Sequence, residues 1–338
     1  MSGYPLLCFP VGMSCFASCS YCMRTDLSHV PHMSEETLRL LMTQYGEAVR
    51  CGDVLWSGGE PLLAGVEFFK LAVSFQKPGT KNSIQTNGLL IDDAWCEFFR
   101  ENEFVIGCSY DGLTGGSRGP GQDGALEALR MLRARGVAYS VLCVVSGDNL
   151  PIPERIIEDL ASRAHHVTFL AQKARTPELR PGTEPTGPQF AEFLQRVWEH
   201  VWRQKLDVSI RNFDAAATAW AGHPIVCEQG KSCGYAVVDE RGNLYPCDHF
   251  TEDHEWLLGN IHVTHMKKLM ECGLMGLFRT LKQIEHPVCE ACPVKPGCNR
   301  GCPRDRWLTN RDFSDISPQC AACEYAATIT KPITQELP

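Results

Sequence analysis

Apolar and polar positions follow two patterns along the first two thirds of the chain. Short apolar runs, each as long as a buried strand, are separated by longer stretches in which apolar residues recur at helical spacing. Strands and helices that alternate in this way form βαβ units around a parallel sheet. Six such units predict an α/β fold built as an open or partial (β/α)6 barrel of the TIM type. The predicted strands are Tyr4–Phe9, Asp53–Trp56, Ser83–Thr86, Phe104–Tyr110, Ala138–Val145 and His166–Leu170, and the predicted helices are Glu35–Val49, Val66–Phe75, Asp92–Glu101, Ala125–Arg135 and Glu154–Arg163.

The pattern changes in the last third of the chain. A loop rich in Pro, Thr, Gly and Arg is predicted at Ala171–Pro188, followed by a helix at Phe190–Trp202 with one apolar face. Beyond Asn212 the periodicity weakens, and a hairpin is predicted at Val237–Tyr245 with its turn at residues 241–243. We therefore expect one domain over residues 1–212 and a second, cysteine-rich domain over residues 213–338.

Composition narrows the class of protein. The chain has 338 residues, of which 44% are hydrophobic, and a formal net charge of −8. A mild acidic balance without a block of Lys or Arg argues against nucleic acid or an anionic membrane as partners. No apolar run approaches the roughly 20 residues of a membrane span, and Met1–Val11 lacks the features of a signal peptide. The sequence therefore predicts a cytoplasmic protein.

The chain contains 18 cysteines, which is a large number for a protein expected in the reducing cytoplasm. Thiols in such numbers indicate metal binding more than disulfides. Most of the cysteines fall into three groups, and the rest stand alone in apolar segments, where we interpret them as small buried hydrophobes. The groups are Cys15, Cys19 and Cys22; Cys227, Cys233 and Cys247; and Cys289, Cys292, Cys298, Cys302, Cys320 and Cys323; the single cysteines are Cys8, Cys51, Cys96, Cys108, Cys143 and Cys272.

The first group follows directly on the first predicted strand. Its spacing, Cys15-x3-Cys19-x2-Cys22, places three thiolates on one short loop, where they can hold three irons of a [4Fe–4S] cluster and leave the fourth iron open. Zinc is the alternative, but zinc prefers four protein ligands, and only His29 or His32 is close enough in sequence to be the fourth. This spacing at the end of the first strand resembles the radical SAM (S-adenosylmethionine) superfamily.

Further motifs follow in the order of that superfamily. Gly58-Gly59-Glu60 comes after the second strand, where the resemblance implies contact with the methionine amino group of SAM. Glycines allow close backbone approach, and a carboxylate can pair with an ammonium. The stretch Gly112–Gly124 can also be a flexible glycine-rich loop. The further positions that the resemblance assigns to SAM are Tyr21 near the adenine, Ser109 after the fourth strand, and Arg118 as a partner of the SAM carboxylate.

The resemblance also implies a reaction. The open iron binds the amino and carboxylate groups of SAM, and one electron from the cluster breaks the bond between sulfur and C5′. The resulting 5′-deoxyadenosyl radical removes a hydrogen atom from the substrate. In such enzymes the cofactors carry out the difficult chemistry, and the protein positions and shields them.

Eight cysteines of the last third match a second pattern. On spacing alone, two zinc ribbons and two iron–sulfur clusters explain them equally well. The pattern is similar to the SPASM extension of radical SAM enzymes, which implies two auxiliary [4Fe–4S] clusters and three clusters in all. Cys323 is left as an alternate ligand, which the complete octet does not require. The implied ligands are Cys227, Cys233, Cys247 and Cys302 for one cluster, and Cys289, Cys292, Cys298 and Cys320 for the other.

Short segments along nearly the whole chain narrow the resemblance to anaerobic sulfatase-maturating enzymes. Among them are Ser83–Gly88, Gly107–Gly112 and Leu258–Ile261. Those enzymes oxidise a Cys or Ser of a sulfatase to Cα-formylglycine, which implies a sulfatase-like peptide or protein substrate and an electron donor such as flavodoxin or ferredoxin. Asp248 follows Cys247 at the position of the general base of that family. The alternative role of Asp248 is to cap a turn.

Several positions depart from the family. Ser57 stands where the family usually has Gln, Met23-Arg24 replace an aromatic pair, and the loop after Gly112 is short. Arg24 can pair with an acidic substrate group or lie at the surface. Two other hypotheses therefore stay open. One is a SPASM enzyme that crosslinks or epimerises a ribosomal peptide or dehydrogenates a small alcohol, and the other is a non-catalytic zinc or scaffold protein.

Overall fold

The strands form a single sheet. The computed structural model describes residues 5–22, 30–49, 52–113, 118–119, 121–173, 183–251, 253–310 and 313–335. The ten strands of this part of the chain lie in the order β10-β9-β8-β1-β2-β3-β4-β5-β6-β7. They are β1 Leu6–Cys8, β2 Asp53–Trp56, β3 Lys81–Thr86, β4 Val105–Ser109, β5 Tyr139–Val145, β6 His166–Ala171, β7 Ser209–Ile210, β8 Ala236–Val238, β9 Asn243–Tyr245 and β10 Gly259–Asn260.

Helices connect the parallel strands. All six helices expected from the sequence are present, with ends that differ by a few residues. The helices of the described residues are α1 Glu35–Ala48, α2 Val66–Phe75, α3 Asp93–Glu101, α4 Gly121–Ala134, α5 Pro153–Arg163, α6 Gly187–Gln204, α7 Arg211–Trp220, α8 Met266–Met270, α9 Gly273–Leu281, α10 Pro287–Glu290, α11 Lys295–Cys298, α12 Pro303–Asn310 and α13 Cys320–Gln335.

The parallel sheet confirms the predicted α/β architecture. Strands β1 to β7 run parallel, and each neighbouring pair is hydrogen-bonded in order. The six predicted strands are β1 to β6, and β7 is an additional strand of only two residues. Such a short strand carries no periodicity that a sequence pattern can reveal. The sheet does not close, because β7 and β10 are its two edges.

Local sequence explains where helices begin. The Ser34 hydroxyl accepts a hydrogen bond from Thr37 N at 3.1 Å ahead of α1. Thr186 and Gln189 form a capping box ahead of α6. The predicted loop Ala171–Pro188 is therefore too long at both ends, since Ala171 still belongs to β6 and α6 begins at Gly187. The capping box fixes the true start of the helix.

An aromatic cluster holds the sheet against α2 and α3. Trp56 of β2 lies edge-to-face on Phe69 with ring centroids 5.2 Å apart, and Phe69 contacts Trp95 and Phe104 in the same manner. Burial of a large apolar side chain contributes about 2 kcal/mol, and edge-to-face packing adds roughly 1 kcal/mol per pair. Trp56 is the last residue of β2, so this cluster packs directly beside the loop that begins at Ser57.

The predicted hairpin extends the barrel sheet. Strands β8 and β9 are antiparallel, and β8 pairs in parallel with β1 in the register Leu6 to Ala236. Position 212, the expected domain boundary, lies in the first turn of α7, and the sheet continues across it. The division into domains of 1–212 and 213–338 stays a prediction. Within the described residues, no helix has both the length and the apolarity to span a bilayer.

Candidate active site and metal centres

The Gly58-Gly59-Glu60 motif packs against the loop that leads to Cys15. Gly59 N donates to Gly12 O at 2.9 Å, and Glu60 N donates to Ser14 O at 2.7 Å. A Cβ atom on Gly59 would lie 1.9 Å from Ser14 O, which no side chain can tolerate. Glycine is therefore required here for close approach of the two backbones, and the motif fixes the path of the first cysteine loop.

The carboxylate of Glu60 is fully buried and binds groups of the chain itself. It accepts hydrogen bonds from Leu62 N at 3.1 Å, Thr86 Oγ1 at 2.7 Å and Asn87 N at 2.8 Å. Burial raises the pKa of Glu60 to about 7, and these hydrogen bonds act in the opposite direction. The carboxylate thus braces the ends of β2 and β3. Contact between this motif and the amino group of SAM stays a prediction.

The thiols of the first group lie at the same carboxyl ends of the strands as Glu60 and Asn87. Cys15 Sγ accepts from Ala17 N at 3.4 Å and from Asn87 Nδ2 at 3.6 Å. Burial raises the pKa of Cys15 and of Cys19, and the nearby charge of Arg118 offsets part of this rise for Cys19. Hydrogen bonds to sulfur favour the thiolate that an iron–sulfur cluster requires. The donor set therefore fits a [4Fe–4S] cluster.

Tyr21 and the buried pair Asp111–Arg118 form a triad that joins two of the residues expected to contact SAM. Tyr21 donates to Asp111 Oδ2 at 2.5 Å, and Arg118 Nε donates to the same oxygen at 3.0 Å. Val144 N donates to Asp111 Oδ1 at 2.8 Å. Burial and the neighbouring carboxylate raise the pKa of Tyr21, so that its hydroxyl stays protonated. Ser109 ends β4 two residues before Asp111, so the structure brings Tyr21, Ser109 and Arg118 to one region.

Four cysteines of the last third form a first quartet. Cys227, Cys233, Cys247 and Cys302 are close enough that the charge of one raises the pKa of another, most clearly Cys227 with Cys233 and Cys247 with Cys302. Burial raises the pKa of Cys227 to about 12. The Tyr235 hydroxyl donates to Cys227, and Phe250, Phe278 and Trp256 pack beside Cys233 and Cys247. A set of four neighbouring thiols with aromatic side chains on one side fits a fully ligated cluster.

The remaining cysteines form a second quartet. Cys289, Cys292, Cys298 and Cys320 line one pocket, together with Cys323. A hydrogen bond from the Cys323 thiol lowers the pKa of Cys298 to about 7. The structure thus brings together both predicted ligand sets and places Cys323 against one of their members. The assignment of the individual ligands stays a prediction.

A buried hydrogen-bond donor beside the quartets also agrees with bound clusters. Arg306 is 2% exposed, and among the described residues its Nε has no hydrogen-bond partner. A buried donor of this kind is costly unless an acceptor is present. The thiolates and sulfides of a bound cluster are acceptors of the required type.

Asp248 lies beside the first quartet. It begins a short 3-10 helix, Asp248–Phe250, directly after Cys247, and its Oδ1 is 3.5 Å from Cys247 Sγ. Its charge also raises the pKa of Cys227 and Tyr235. A cavity of about 310 Å³ lies next to this region, lined by Leu142 and Thr168 of the barrel strands and by Cys227 and Tyr235 of the last third. A cavity of this size can hold a small ligand or a side chain with its flanking residues.

Sequence patterns missed several residues that shape these sites. Asp111 and Asn87 bind predicted site residues through contacts that span 90 and 72 positions along the chain, which periodicity cannot reveal. The only signal was their place after strands, where the functional loops of a barrel lie. Met23, Arg24 and His29 lie outside the described residues.

Comparisons with known proteins agree with this geometry. A profile of the Radical SAM superfamily matches residues 9–160, and a profile described as an iron–sulfur cluster-binding domain, SPASM, matches residues 227–293. A serine-type anaerobic sulfatase-maturating enzyme of Bacteroides thetaiotaomicron is 31% identical over 90% of this chain and 83% of its own length. A cysteine-type enzyme of Clostridium perfringens is 28% identical over 93% of each chain.

The fold is also similar to solved structures. The structure of anSMEcpe with bound AdoMet and the Kp18Cys peptide covers 98% of this chain and 100% of its own, with a TM-score of 0.89 and 26% identity. SuiB bound to its precursor peptide SuiA has a TM-score of 0.69 at 14% identity, which shows a shared fold alone. These likenesses confirm the resemblance inferred from the sequence.

Proposed function

Because the chain belongs to the anaerobic sulfatase-maturating enzymes of the radical SAM superfamily, we propose that it oxidises a cysteine or serine side chain of a sulfatase-type peptide to Cα-formylglycine. The observation that carries this proposal is the position of Asp248, directly after Cys247 and beside the first quartet of thiols. Relatives of both the serine type and the cysteine type are similar to the chain, so both target residues belong to the proposal.

Three [4Fe–4S] clusters and SAM complete the proposed enzyme. Cys15, Cys19 and Cys22 hold the cluster that binds SAM, and the two quartets hold the auxiliary clusters. When bound, these groups would supply the radical chemistry that removes one hydrogen atom from the substrate Cβ and a place for the electron that the substrate loses. An external one-electron donor of the flavodoxin or ferredoxin type and a cytoplasmic location are part of the proposal.

The residues of the chain bind and orient SAM and accept a proton from the substrate. Tyr21, Ser109 and Arg118 contact SAM, and Asp111 holds Tyr21 and Arg118 in place. The Asp248 carboxylate accepts the proton of the substrate thiol or hydroxyl. A serine that loses one hydrogen atom, one proton and one electron becomes the aldehyde directly. A cysteine becomes a thioaldehyde, which water converts to the aldehyde with release of hydrogen sulfide.

An assay with two peptides tests this function. The reduced enzyme is incubated anaerobically with SAM and with a Cys-x-Pro-x-Arg or a Ser-x-Pro-x-Arg peptide. We expect 5′-deoxyadenosine together with a peptide whose mass is that of the formylglycine product, from an enzyme that contains about twelve irons per chain. Formation of 5′-deoxyadenosine with both peptides unchanged would refute the substrate and point to another SPASM reaction. A protein without iron would refute the radical mechanism itself.

The Asp248→Asn variant tests the proton acceptor. We expect it to cleave SAM at the rate of the unmodified enzyme and to form formylglycine about 100-fold more slowly or worse, since a positioned general base contributes about 100- to 10,000-fold. Asp253→Asn is the matched control, because the Asp253 side chain follows Asp248 by five residues and caps Glu255 N. Equal product rates in the two variants would show that Asp248 has a structural role.

A further inference from the structure

Lys282 is a fully buried cation between the two quartets. It follows α9 and has no exposed surface. Its ammonium donates to Glu228 O at 2.6 Å and to Gly301 O. Glu228 directly follows Cys227, and Gly301 directly precedes Cys302. Lys282 therefore ties together the two chain segments that supply half of the first quartet.

Arg306 is a second buried cation at the same place. It lies on α12, four residues after Cys302, and its guanidinium donates to Leu281 O and to Ile284 O at 2.9 Å each. Leu281 belongs to the apolar cluster against which Cys233 and Cys247 of the first quartet pack. Gly301, which accepts a hydrogen bond from Lys282, donates to Cys298 O of the second quartet at 3.4 Å. The two cations therefore lie beside members of both quartets.

The partners of these two cations differ from those of neighbouring cations. Lys173 pairs with Asp305 at 2.8 Å, and Lys295 pairs with Glu285 at 2.7 Å. Among the described residues, Lys282 and Arg306 form no ion pair with a carboxylate, and they donate to backbone carbonyls instead. A carbonyl is a dipole without net charge, whereas removal of a cation from water costs several kcal/mol. A compensating negative charge must therefore lie nearby.

A ligated cluster has the compensating charge. Four thiolates carry four negative charges, and an oxidised [4Fe–4S] core carries two positive charges, so the whole centre is dianionic. Reduction adds one more negative charge. A buried cation beside the centre stabilises the reduced form more than the oxidised form, since Coulomb energy grows with the product of the charges. The direction of the effect on the reduction potential is therefore fixed.

We propose that Lys282 and Arg306 are positioning residues that raise the reduction potential of the auxiliary clusters and thereby make them better acceptors of the substrate electron. This inference rests on the proposed function, because it requires the auxiliary clusters. The radical step itself does not use Lys282 or Arg306. Charge and burial carry the argument, and no contact with substrate is needed.

The test compares charge-removing and charge-preserving variants. Lys282→Met and Arg306→Met remove the charges, and Lys282→Arg and Arg306→Lys keep them. The control is Lys77→Met, whose ammonium also donates to a backbone carbonyl, that of Gly46, but between α1 and α2 on the barrel. Each protein is prepared anaerobically with its clusters, and reduction is followed by electron paramagnetic resonance at controlled potentials, without substrate or turnover.

We expect each Met variant to lower the ratio of reduced to oxidised auxiliary cluster about tenfold at a fixed potential, which is about 59 mV for a one-electron couple. The SAM-binding cluster, the charge-preserving variants and Lys77→Met should keep their potentials. Unshifted potentials in both Met variants, or equal shifts in Arg306→Met and Arg306→Lys, would overturn the inference. An unmodified protein that contains only the SAM-binding cluster would instead overturn the proposed set of clusters, and the inference with it.

Cluster loss is also informative. A Met variant that loses the auxiliary clusters while its charge-preserving counterpart retains them supports a requirement for positive charge at that position. Loss of the clusters in both variants of a pair overturns the charge argument there, because shape alone would then explain the effect.

Discussion

Replacement of Asp111 by Asn tests whether the triad of Tyr21, Asp111 and Arg118 prepares the SAM site. Asp111 is the shared acceptor of Tyr21 and Arg118, and the side chains of the Asp111–Arg118 pair are only 5% and 8% exposed. The substitution keeps the size of the side chain but removes its charge. An amide can offer Arg118 and Tyr21 no more than one oxygen, and Val144 N already uses an oxygen of Asp111.

The magnitude follows from this burial. Removal of one partner from a buried ion pair leaves an uncompensated charge and costs about 3 to 5 kcal/mol. That is a large part of the roughly 5 to 15 kcal/mol by which a domain is stable. If Arg118 or Tyr21 moves, SAM also loses a charge-assisted hydrogen bond worth about 1.5 to 3 kcal/mol, which is roughly a 10- to 100-fold weaker Kd.

Two measurements separate the effects. Urea unfolding of the cluster-free protein gives the loss of stability, and anaerobic equilibrium binding gives the affinity of the cluster-loaded protein for SAM. A second triad in the barrel supplies the control: Tyr110 donates to Asp159 at 2.8 Å, and Arg163 donates to the same carboxylate at 2.6 Å. We expect Asp159→Asn to lower stability and leave the SAM affinity unchanged. Unchanged SAM affinity in Asp111→Asn, or an equal loss in both variants, would refute the reasoning.

Two further predictions concern the Gly-Gly-Glu motif. Burial raises the pKa of Glu60 from 4.5 to about 7, so the folded protein holds this proton more tightly than the unfolded chain does. Its stability therefore falls by about 3 kcal/mol as the pH rises from about 4.5 to about 7. Urea unfolding of cluster-free Glu60→Gln should show no such fall in stability with pH, and an unchanged fall would assign it to other groups. Gly59→Ala places a Cβ 1.9 Å from Ser14 O and should lower the iron content by about four irons per chain. Gly273→Ala is the control, because a Cβ there meets nothing within 4 Å, and it should leave the iron content unchanged. Equal iron contents in the two variants would contradict the need for glycine at position 59.

The barrel was predictable because its strands are short, buried and separated by amphipathic helices. Helix α13, Cys320–Gln335, was not predicted, because its many small residues, such as Ala322 and Ala326, give a weak apolar stripe. Those small residues allow it to pack closely against α6 and α7. Helix α7 was missed for the same reason, since its apolar face consists largely of alanine.

The site was likewise predictable only where the sequence carries a clear local pattern. Cysteine spacing together with the family resemblance predicts the two ligand quartets, and the structure brings the members of each quartet close to one another. The supporting contacts had no such signal. Asp111 and Lys282 act through partners that are not their neighbours in sequence. The residues that flank a buried Lys in the sequence do not differ from those that flank an exposed one, so its burial cannot be predicted from them.

The parallel pairing of β1 with β8 has a consequence for synthesis of the chain. Leu6 emerges from the ribosome about 230 residues before its partner Ala236. At roughly 5 to 20 residues per second, this strand edge stays without its final neighbour for on the order of ten seconds or more. An unpaired strand edge is a template for aggregation. Translation speed and chaperone access over this interval are therefore expected to limit the yield of active protein, since the sheet that carries the first cysteine loop is completed only then.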